Sequence, residues 1–311
     1  MGKVRYSFVL PAYKARFLRE AVESIMVQTY RNFELVIVDD ASPEGLYDIV
    51  KDVCDERVRY YVNERNIGGT DLVAQWNHSL EYAEGDYVIL ASDDDIYHPQ
   101  YLEKMNALVE KYPQVDIFRP RVQYINESGE VTGVVGLMKE YTSQLELVGL
   151  IETLGNGIPF YLFNRRTLNF IGGFVNYPLA WHSDDATVLK MAKGGIAFCA
   201  DVLFSFRLSG ESISTKRNDY KSLKQKIEAT EAYYQNLPAL LEEAVPQSEQ
   251  DLLFRQKAKD NIPGWRRAAL SRWLFSSSKG AVIRCLPIFL RLGVFSLREL
   301  VGMYTRHLLL S

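Results

Sequence analysis

Three consecutive aspartates, Asp93 to Asp95, are the residues of this chain with the clearest capacity for chemistry. They follow Tyr87 to Ala91, a short apolar run whose length and composition predict a buried strand. Carboxylates at this density repel one another unless a cation lies among them. Their oxygens suit a hard divalent ion such as Mg2+ or Mn2+. The alternative is a solvated turn in which Asp95 caps a helix that begins near Pro99.

The elements before this cluster alternate between predicted strands and predicted helices. Strands are predicted over residues 5–10, 33–38 and 58–62, and helices over residues 16–28, 46–54 and 72–83. This alternation predicts parallel βαβ units with right-handed crossovers, so the carboxyl ends of four strands should share one edge of the sheet. Ligands bind at that edge in open α/β sheets, and we expect a nucleotide site there.

The turn after the first strand, Pro11-Ala12-Tyr13, argues against the commonest nucleotide folds. It lacks the Gly-x-Gly-x-x-Gly sequence of Rossmann dinucleotide domains, and the chain contains no Gly-Lys-Ser/Thr of a P-loop. It also lacks the glycine-rich, basic first loop of sugar-nucleotide pyrophosphorylases. What remains is an acidic turn at Asp39 and Asp40, after the second strand, and the aspartates after the fourth.

Composition and charge indicate an ordinary globular protein with a basic tail. The 311 residues are 47% hydrophobic and 24% charged, and the three cysteines lack metal-site spacing, which suggests a reducing, cytoplasmic compartment. No signal peptide or clear transmembrane stretch is visible. The net charge of −3 divides into +7 for residues 216–311 and −10 for residues 1–215. That asymmetry suggests an acidic body and a tail that meets an anionic surface.

An ordered set of motifs over residues 4–215 resembles the family 2 glycosyltransferases of GT-A fold. The matching residues are Pro11-Ala12-Tyr13, Val38-Asp39-Asp40-Ala41-Ser42, Asn66-Ile67-Gly68 with Asn77, Asp93 to Pro99, Gly172-Gly173-Phe174, Asp184-Asp185 and Phe206-Arg207. The resemblance implies an α/β fold with a Rossmann-like, mainly parallel sheet flanked by helices. It also implies a nucleotide-diphosphate sugar donor, a divalent cation and inversion at the anomeric carbon.

The resemblance assigns the donor side. The implied nucleotide-binding residues are Pro11, Ala12, Tyr13, Asp39, Asp40, Asn66, Gly68, Asp93, Asp94 and Arg207. Asp39 is the favoured base or ribose contact, and an Asx-turn that closes the loop is the alternative for the Asp39-Asp40 pair. Mn2+ or Mg2+ would bridge the diphosphate to Asp95 first and Asp93 second. Ser92 and Ser209 stand where the family commonly has aspartate and histidine, and Arg207 would face the diphosphate.

The acceptor side is implied by motifs further along the chain. Gly172, Gly173, Phe174, Trp181 and His182 would contact the acceptor, with Trp181 offering an aromatic face to a sugar ring. Asp185 would be the general base and Asp184 an orienting or capping residue. The alternatives are a plain loop for the glycine motif and a helix cap for the two acids.

We therefore predict a nucleotide-sugar-binding half over residues 1–100, an acceptor-binding half of the same domain over 101–215, and a helical extension over 216–311. In the extension, Arg284, Arg291 and Arg298 recur every seven residues of one predicted helix, 281–310. That pattern suggests an interfacial helix on the inner face of the membrane. The alternatives are a helix packed on the catalytic body or in a homodimer.

The predicted activity is inverting transfer from a UDP-sugar to a hydroxyl of a glycan or polyprenyl-linked acceptor, as in bacterial surface-polysaccharide assembly. Nucleic acid is not an expected partner. The rival interpretation is a nucleotide-binding or scaffold protein that keeps the fold without turnover, and the acidic positions 93–95 and 184–185 argue against it.

Overall fold

The computed structural model describes residues 5–53, 55–209 and 218–310, with side chains described as far as residue 306. The strands are β1 (Tyr6–Ala12), β2 (Phe33–Asp39), β3 (Val58–Val62), β4 (Tyr87–Leu90), β5 (Ile96–Tyr97), β6 (Ile117–Ile125), β7 (Val131–Val134), β8 (Tyr141–Thr142), β9 (Leu162–Asn164) and β10 (Ile196–Arg207). The helices are α1 (Leu18–Met26), α2 (Leu46–Val50), α3 (Leu72–Leu80), α4 (Tyr101–Lys111), α5 (Gln144–Ile151), α6 (Arg165–Phe170), α7 (Ser183–Met191), α8 (Tyr220–Glu243), α9 (Glu249–Phe275), α10 (Lys279–Arg291) and α11 (Leu297–Leu310).

The described strands form one sheet in the order β3-β2-β1-β4-β9-β6-β10-β5, with β7 beside β6 and β8 beside β10. Strands β3, β2, β1 and β4 are parallel to one another, which confirms the predicted βαβ arrangement. Ala12 pairs with Asp39, and Asp39 pairs with Val62, so the ends of β1, β2 and β3 are level. The predicted motifs after these strands therefore meet at one edge.

Burial on both faces explains why β1 and β2 read as continuous apolar runs. All seven residues of β2 are buried, including Glu34, whose carboxylate pairs with Arg59 at 2.5 Å. Continuous rather than alternating hydrophobicity is typical of a parallel strand covered by helices on both sides. Helix α1 covers one face with Leu18, Val22 and Ile25.

The second half of the sheet is mixed. Strands β6 and β7 form a β-hairpin, and Gly129 takes a positive φ of 80° in its turn. Strand β9 is only three residues long and pairs antiparallel with both β4 and β6, so it joins the two halves of the sheet.

The C-terminal extension consists of α8 to α11 and packs against the body. Tyr233, Tyr234 and Leu237 of α8 belong to the main hydrophobic core. A second core forms within the extension, where Ile227 and the side chains of α9 to α11 are buried together. The buried side chains of α10 and α11 lie in this second core together with residues of α8 and α9, so the alternatives given for residues 281–310 stay predictions.

Helix α9 contains a proline in its interior and continues through Pro263. A proline removes one helical hydrogen bond, and Ala258 and Ala269 are buried on either side of it.

The predicted helix over 281–310 is in fact two helices, because the chain turns at Gly293, which has a φ of +65°. The second helix then starts at a capping box in which Ser296 and Glu299 bond each other's backbone N–H. The predicted arginine stripe is therefore divided between α10 and α11. Within the described residues, no helix combines the length and the apolar composition needed to cross a membrane.

Candidate active site

The carboxylate of Asp39, at the end of β2, is held from two sides. One oxygen accepts the Ser42 backbone N–H at 2.8 Å, and the other accepts the Tyr60 hydroxyl at 2.8 Å. The Ser42 contact is the loop-closing interaction expected as the alternative for this pair. Each carboxylate oxygen retains a further lone pair, so this geometry leaves Asp39 able to accept a donor from a ligand.

The neighbouring carboxylate, Asp40, serves the loop after β3. It is buried and accepts hydrogen bonds from Asn63 Nδ2 at 2.7 Å, from Ile67 N at 2.9 Å and from Gly68 N at 2.7 Å. A Cβ at Gly68 would lie 3.0 Å from Asp40 Oδ2, which explains glycine there. The Asn66 side chain accepts the Gly69 N–H within the same loop. Asp40 and Asn66 therefore shape this loop through their own hydrogen bonds.

The acidic cluster is tied to the end of β1. Asp93 Oδ2 accepts the backbone N–H groups of Tyr13 at 3.0 Å and Lys14 at 2.8 Å. The ring of Tyr13 is 42% exposed, so it presents an aromatic surface beside Pro11 and Ala12. Burial is the main cause that raises the pKa of Asp93, while the two backbone N–H groups oppose that rise.

Asp94 and Asp95 point into different surroundings. Asp94 is half-buried, and burial followed by the charge of Asp93 raises its pKa to about 6. Asp95 is 0% exposed; its Oδ1 accepts the Arg207 N–H at 2.9 Å, and its Oδ2 has no hydrogen-bond partner among the described residues. Burial raises the pKa of Asp95 well above the usual range, which favours the neutral acid and relieves the repulsion within the cluster.

Arg207 has a different role from the predicted diphosphate contact. Its guanidinium is buried, donates to the carbonyl oxygen of Asp94 at 2.8 Å and pairs with Glu20 at 2.6 Å. It also donates to the carbonyl oxygens of Asn126 and Glu127. Because its N–H groups are used in these contacts, the guanidinium holds in place the acidic loop that carries Asp93 to Asp95. The buried Arg207 side chain therefore supports the acidic loop from inside the protein, and it does not face the sheet edge at which a diphosphate would bind.

The residues fit a divalent cation only in part. In the part of the chain that the structure describes, no three His, Cys, Asp or Glu side chains are grouped to hold a metal by themselves. Asp93 and Asp94 are adjacent and only half-buried, whereas Asp95 is enclosed. Mg2+ is commonly held by one or two carboxylates together with substrate phosphates. The pair Asp93 and Asp94 fits that mode.

The glycine motif is a structural clamp between the two halves. Asn77 of α3 accepts the Phe174 N–H at 2.7 Å and donates to the Phe174 carbonyl at 3.0 Å. Gly173 has a φ of +84°, and a Cβ there would lie 2.4 Å from Asn77 Oδ1. The Phe174 ring is buried against Trp76 and is not open to an acceptor, contrary to the prediction. Gly172 is exposed at the same turn.

Asp185, at the start of α7, is oriented by two hydrogen-bond donors. Asn156 Nδ2 lies 2.6 Å from its Oδ1, and His182 Nδ1 lies 2.7 Å from its Oδ2. Asn156 is fixed in turn by the Tyr161 hydroxyl, which accepts from Arg119 at 3.0 Å. This arrangement of a carboxylate held by neighbouring groups is the one expected of a general base.

The adjacent acid, Asp184, differs in environment. Its Oδ1 accepts the Asp185 backbone N–H at 2.9 Å. Burial first, and the charge of Asp185 second, raise the pKa of Asp184 to about 7. The two carboxylates therefore have separate partners, as their adjacent positions at a helix start predict.

The segment before α7, residues 175–182, is here called the acceptor loop. Its Trp181 ring packs edge-on against Trp273 with the ring centroids 4.7 Å apart, and Lys226 Nζ lies 4.3 Å from the Trp181 centroid. Burial lowers the pKa of Lys226 to about 8. Trp181 is half-buried, so part of the predicted aromatic surface is used in packing against the extension.

Comparison with protein families decides how this site is classified. A family model described as Glycosyl transferase family 2 matches residues 7–169, which is more than half of the chain. The chain belongs to this family. The match spans the end of every strand from β1 to β4, where all the predicted donor residues except Arg207 lie, and it stops before the acceptor loop.

Several curated proteins resemble this family 2 chain. Putative glycosyltransferase EpsE of Bacillus subtilis is 33% identical over 129 residues, covering 40% of this chain and 45% of EpsE. WfgD of Escherichia coli, named as a UDP-Glc:alpha-D-GlcNAc-diphosphoundecaprenol beta-1,3-glucosyltransferase, is 25% identical over 235 residues, covering 74% of this chain and 87% of WfgD. The match to EpsE spans less than half of that relative's length.

A solved structure supports the fold. The S. aureus protein TarS, residues 1–349 in complex with UDP-GlcNAc, superposes with a TM-score of 0.61 at 16% identity, covering 90% of this chain and 83% of that chain. At this identity the likeness shows the fold alone. It confirms the predicted GT-A fold for this family 2 chain, including a body extended by helices.

The structure adds residues that the sequence did not identify. Asn156, Tyr161 and Arg119 form the support of Asp185, and Tyr60 fixes Asp39. Tyr60 sits on a predicted strand and pairs in register with Ile37, two residues before Asp39, so strand register could have suggested it. The other three come from separate strands and loops, and their convergence depends on the mixed half of the sheet.

Proposed function

We propose that this chain is an inverting glycosyltransferase that moves a sugar from a nucleotide-diphosphate donor, with UDP-sugars favoured, to a hydroxyl of a glycan or lipid-linked acceptor. The observation that carries the proposal is the pairing of two separate acidic sites on one GT-A fold. Asp93 and Asp94 lie at the ends of parallel strands beside Tyr13, and Asp185 is oriented by its own donors at α7. Leaving-group stabilisation and proton removal need such separate carboxylates.

On the donor side, Tyr13 and Asp39 are proposed to contact the nucleoside. Tyr13 offers an exposed ring, and Asp39 has free acceptor capacity beyond Ser42 and Tyr60. A carboxylate that accepts an N–H from uracil discriminates between bases, because an unpaired buried acceptor costs about 1–3 kcal/mol. The name of WfgD specifies UDP-Glc, and TarS was solved with UDP-GlcNAc, which supports a UDP-sugar here.

For the cation we assign the contacts to Asp93 and Asp94, in place of the predicted first choice, Asp95. Asp95 is enclosed and bonded to the Arg207 N–H, so it stabilises the loop that carries the other two. A bound Mn2+ or Mg2+ supplies charge neutralisation for the departing diphosphate. Burial raises the pKa of both carboxyls, and the charge of the neighbouring Lys14 opposes that rise.

On the acceptor side, Asp185 is proposed to remove the proton from the attacking hydroxyl. The hydroxyl oxygen forms a bond to the anomeric carbon as the bond from that carbon to the diphosphate oxygen breaks. The proton ends on Asp185, and the electron pair leaves with UDP. Asn156 and His182 hold the carboxylate while it gains the proton.

The test measures release of the nucleoside diphosphate, UDP or GDP, from a panel of UDP- and GDP-sugars with Mn2+, together with UDP affinity by calorimetry. We expect Asp185→Asn to lower turnover by at least roughly 100-fold and to leave UDP affinity nearly unchanged. Asp94→Ala should remove the gain in UDP affinity that Mn2+ gives over EDTA. Normal turnover by Asp185→Asn defeats the base assignment; UDP binding without any turnover by the native chain favours the non-catalytic alternative.

We also propose that the extension rests on an anionic membrane surface, where a polyprenyl-linked acceptor would be presented. Ile283 and Leu290 of α10 and Leu297 and Val301 of α11 are exposed apolar side chains. Arg291 and Arg298 are exposed on the same two helices. Apolar side chains interleaved with arginines are typical of helices that lie in a membrane interface.

A further inference from the structure

Helix α8 contacts the acceptor loop with one face. Its residues Lys226, Thr230, Tyr233 and Asn236 follow one another at intervals of four, three and three, which places them on one side of a helix. Each of them touches the acceptor loop: Lys226 lies over Trp181, Thr230 and Tyr233 contact His182, and Asn236 donates to the Tyr177 hydroxyl at 3.0 Å. We call these four residues the α8 contact face.

The acceptor loop needs such support because its backbone is strained. Leu179, Ala180 and His182 have φ values of 58°, 57° and 62°, in the left-handed region. That region costs a residue with a side chain about 1–2 kcal/mol, and such strain persists only where the surroundings impose it. Three such residues within four positions are unlike any other described part of the chain.

His182 is the residue through which this support reaches Asp185. Its ring lies parallel to the Tyr233 ring, with an interplanar angle of 3° and centroids 4.6 Å apart. Its Nδ1 is 2.7 Å from Asp185 Oδ2, and its Nε2 is 3.5 Å from Thr230 Oγ1. Thr230 is itself fixed, because it accepts the Trp273 Nε1–H at 2.9 Å and donates to the Lys226 carbonyl at 2.7 Å.

We propose that His182 is a positioning residue for Asp185, and that the α8 contact face holds the His182 ring in place, so that the C-terminal extension supports the orientation of the proposed base. The inference rests on the proposed role of Asp185 as base. Donors at both carboxylate oxygens, from His182 and Asn156, fix the plane of the carboxylate. Without the His182 donor, the carboxylate turns about its Cβ–Cγ bond and loses its alignment with the attacking hydroxyl.

Two substitutions at position 182 distinguish the effect of the side-chain donor from the effect of the strained backbone. His182→Gly relieves the left-handed strain but removes the donor. His182→Asn keeps a short side chain that tolerates this region and carries an N–H donor near the position of Nδ1. We expect His182→Gly to lower kcat for UDP release from UDP-glucose or UDP-N-acetylglucosamine with Mn2+ by roughly 10- to 100-fold at unchanged donor KM. His182→Asn should restore most of that loss.

A second matched pair tests the contribution of α8. The Tyr233 hydroxyl is buried without a hydrogen-bond partner among the described residues, so Tyr233→Phe keeps the stacked ring and should leave kcat near the native value. Tyr233→Leu removes the ring face and should lower kcat, again at unchanged donor KM. Thermal unfolding of all four variants shows whether each chain is folded under the conditions of the assay.

The outcomes distinguish this inference from the proposed function. Native kcat in folded His182→Gly, alongside a 100-fold loss in Asp185→Asn, overturns the positioning role and leaves the base assignment intact. Native kcat in Asp185→Asn removes the base and the inference together. A loss in Tyr233→Phe as large as that in Tyr233→Leu contradicts the role of the stacked ring. Equal losses in kcat for His182→Gly and His182→Asn contradict the hydrogen bond as the means of positioning.

Discussion

Asp184 and Asp185 show how neighbouring carboxylates acquire different properties from their surroundings. Asp185 has two side-chain donors, whereas the Asp184 carboxylate accepts the backbone N–H of its neighbour and is enclosed. The pKa of Asp184 rises to about 7 from 3.8, chiefly through burial. Between about pH 3.8 and pH 7, the Asp184 carboxyl therefore keeps its proton in the folded state and loses it in the unfolded chain. Ionisation of Asp184 costs stability as the pH rises through that window.

We predict that Asp184→Asn stabilises the protein at pH 8, by a few degrees in Tm, and that this gain disappears below about pH 3, where the native carboxyl is largely neutral in both the folded and the unfolded state. Thermal unfolding across this pH range measures the difference. Asp260→Asn, on the exposed surface of α9, is the matched control and should show no such gain. A pH-independent effect of Asp184→Asn would mean that burial does not control this carboxyl.

Residue types were easier to predict than residue roles. The sequence pattern indicated Asp39, Asp40 and the aspartates at 93–95 as a set. In the structure, some of these carboxylates face the edge of the sheet, whereas others accept hydrogen bonds that hold loops in place. Asp40 accepts the backbone N–H groups of Ile67 and Gly68, and one oxygen of the enclosed Asp95 accepts that of Arg207. Such bonds depend on where distant loops fold, and a one-dimensional pattern of acids does not contain that information.

At the scale of elements, the turn at Gly172 and Gly173 offers two glycines in similar conformations and different surroundings. Their φ values are +88° and +84°. A Cβ at Gly172 would meet nothing within 4 Å, whereas one at Gly173 would lie 2.4 Å from Asn77 Oδ1. Asn77 cannot move away without losing its two hydrogen bonds to Phe174.

Gly173→Ala should therefore be more destabilising than Gly172→Ala. For Gly172→Ala we expect about 1–2 kcal/mol, the cost of the left-handed backbone alone. For Gly173→Ala we expect about 1–3 kcal/mol more, from the added steric conflict. Urea unfolding of both variants gives the comparison. Equal losses of unfolding free energy at the two positions would show that the Asn77 side chain moves aside at little cost.

The strands and helices of the donor half were predictable because their apolar periods are strong and their turns short. The extension was harder. Proline disfavours a helix interior, yet α9 is continuous through Pro263, with Ala258 and Ala269 buried around it. The start of α11 did have a signal, since Ser296 and Glu299 stand in the spacing of a capping box.

At the scale of the molecule, charge and exposed apolar surface coincide on the last two helices. We predict that Arg291→Gln with Arg298→Gln weakens binding to anionic liposomes by about 10-fold or more, since each basic residue near such a surface contributes about 1 kcal/mol. Lys190→Gln with Lys193→Gln removes the same charge from the body and should have a much smaller effect. Sedimentation with anionic and neutral vesicles measures both. Equal weakening by the two pairs would indicate attraction by net charge alone.

Truncation is a poor substitute for this charge test. A chain cut near Gly264 would end inside α9 and lose Ala269 from the main core and Trp273 from the second. Trp273 also donates a hydrogen bond to the Thr230 hydroxyl, which in turn contacts His182. Loss of membrane binding in such a chain would report unfolding as readily as loss of a membrane contact.

The three-residue strand β9 has a consequence for how the chain is made. It covers the open side of β4 and joins it to β6, but it lies about 70 residues further along. At about 5–20 residues per second, synthesis of that stretch lasts roughly 4 to 14 s. During this interval the nascent sheet β3-β2-β1-β4 has an uncovered edge whose side chains, Val88, Ile89 and Leu90, are buried in the finished protein. A fragment of residues 1–100 would keep β4 as an uncovered edge strand, and we expect this fragment to self-associate through β4.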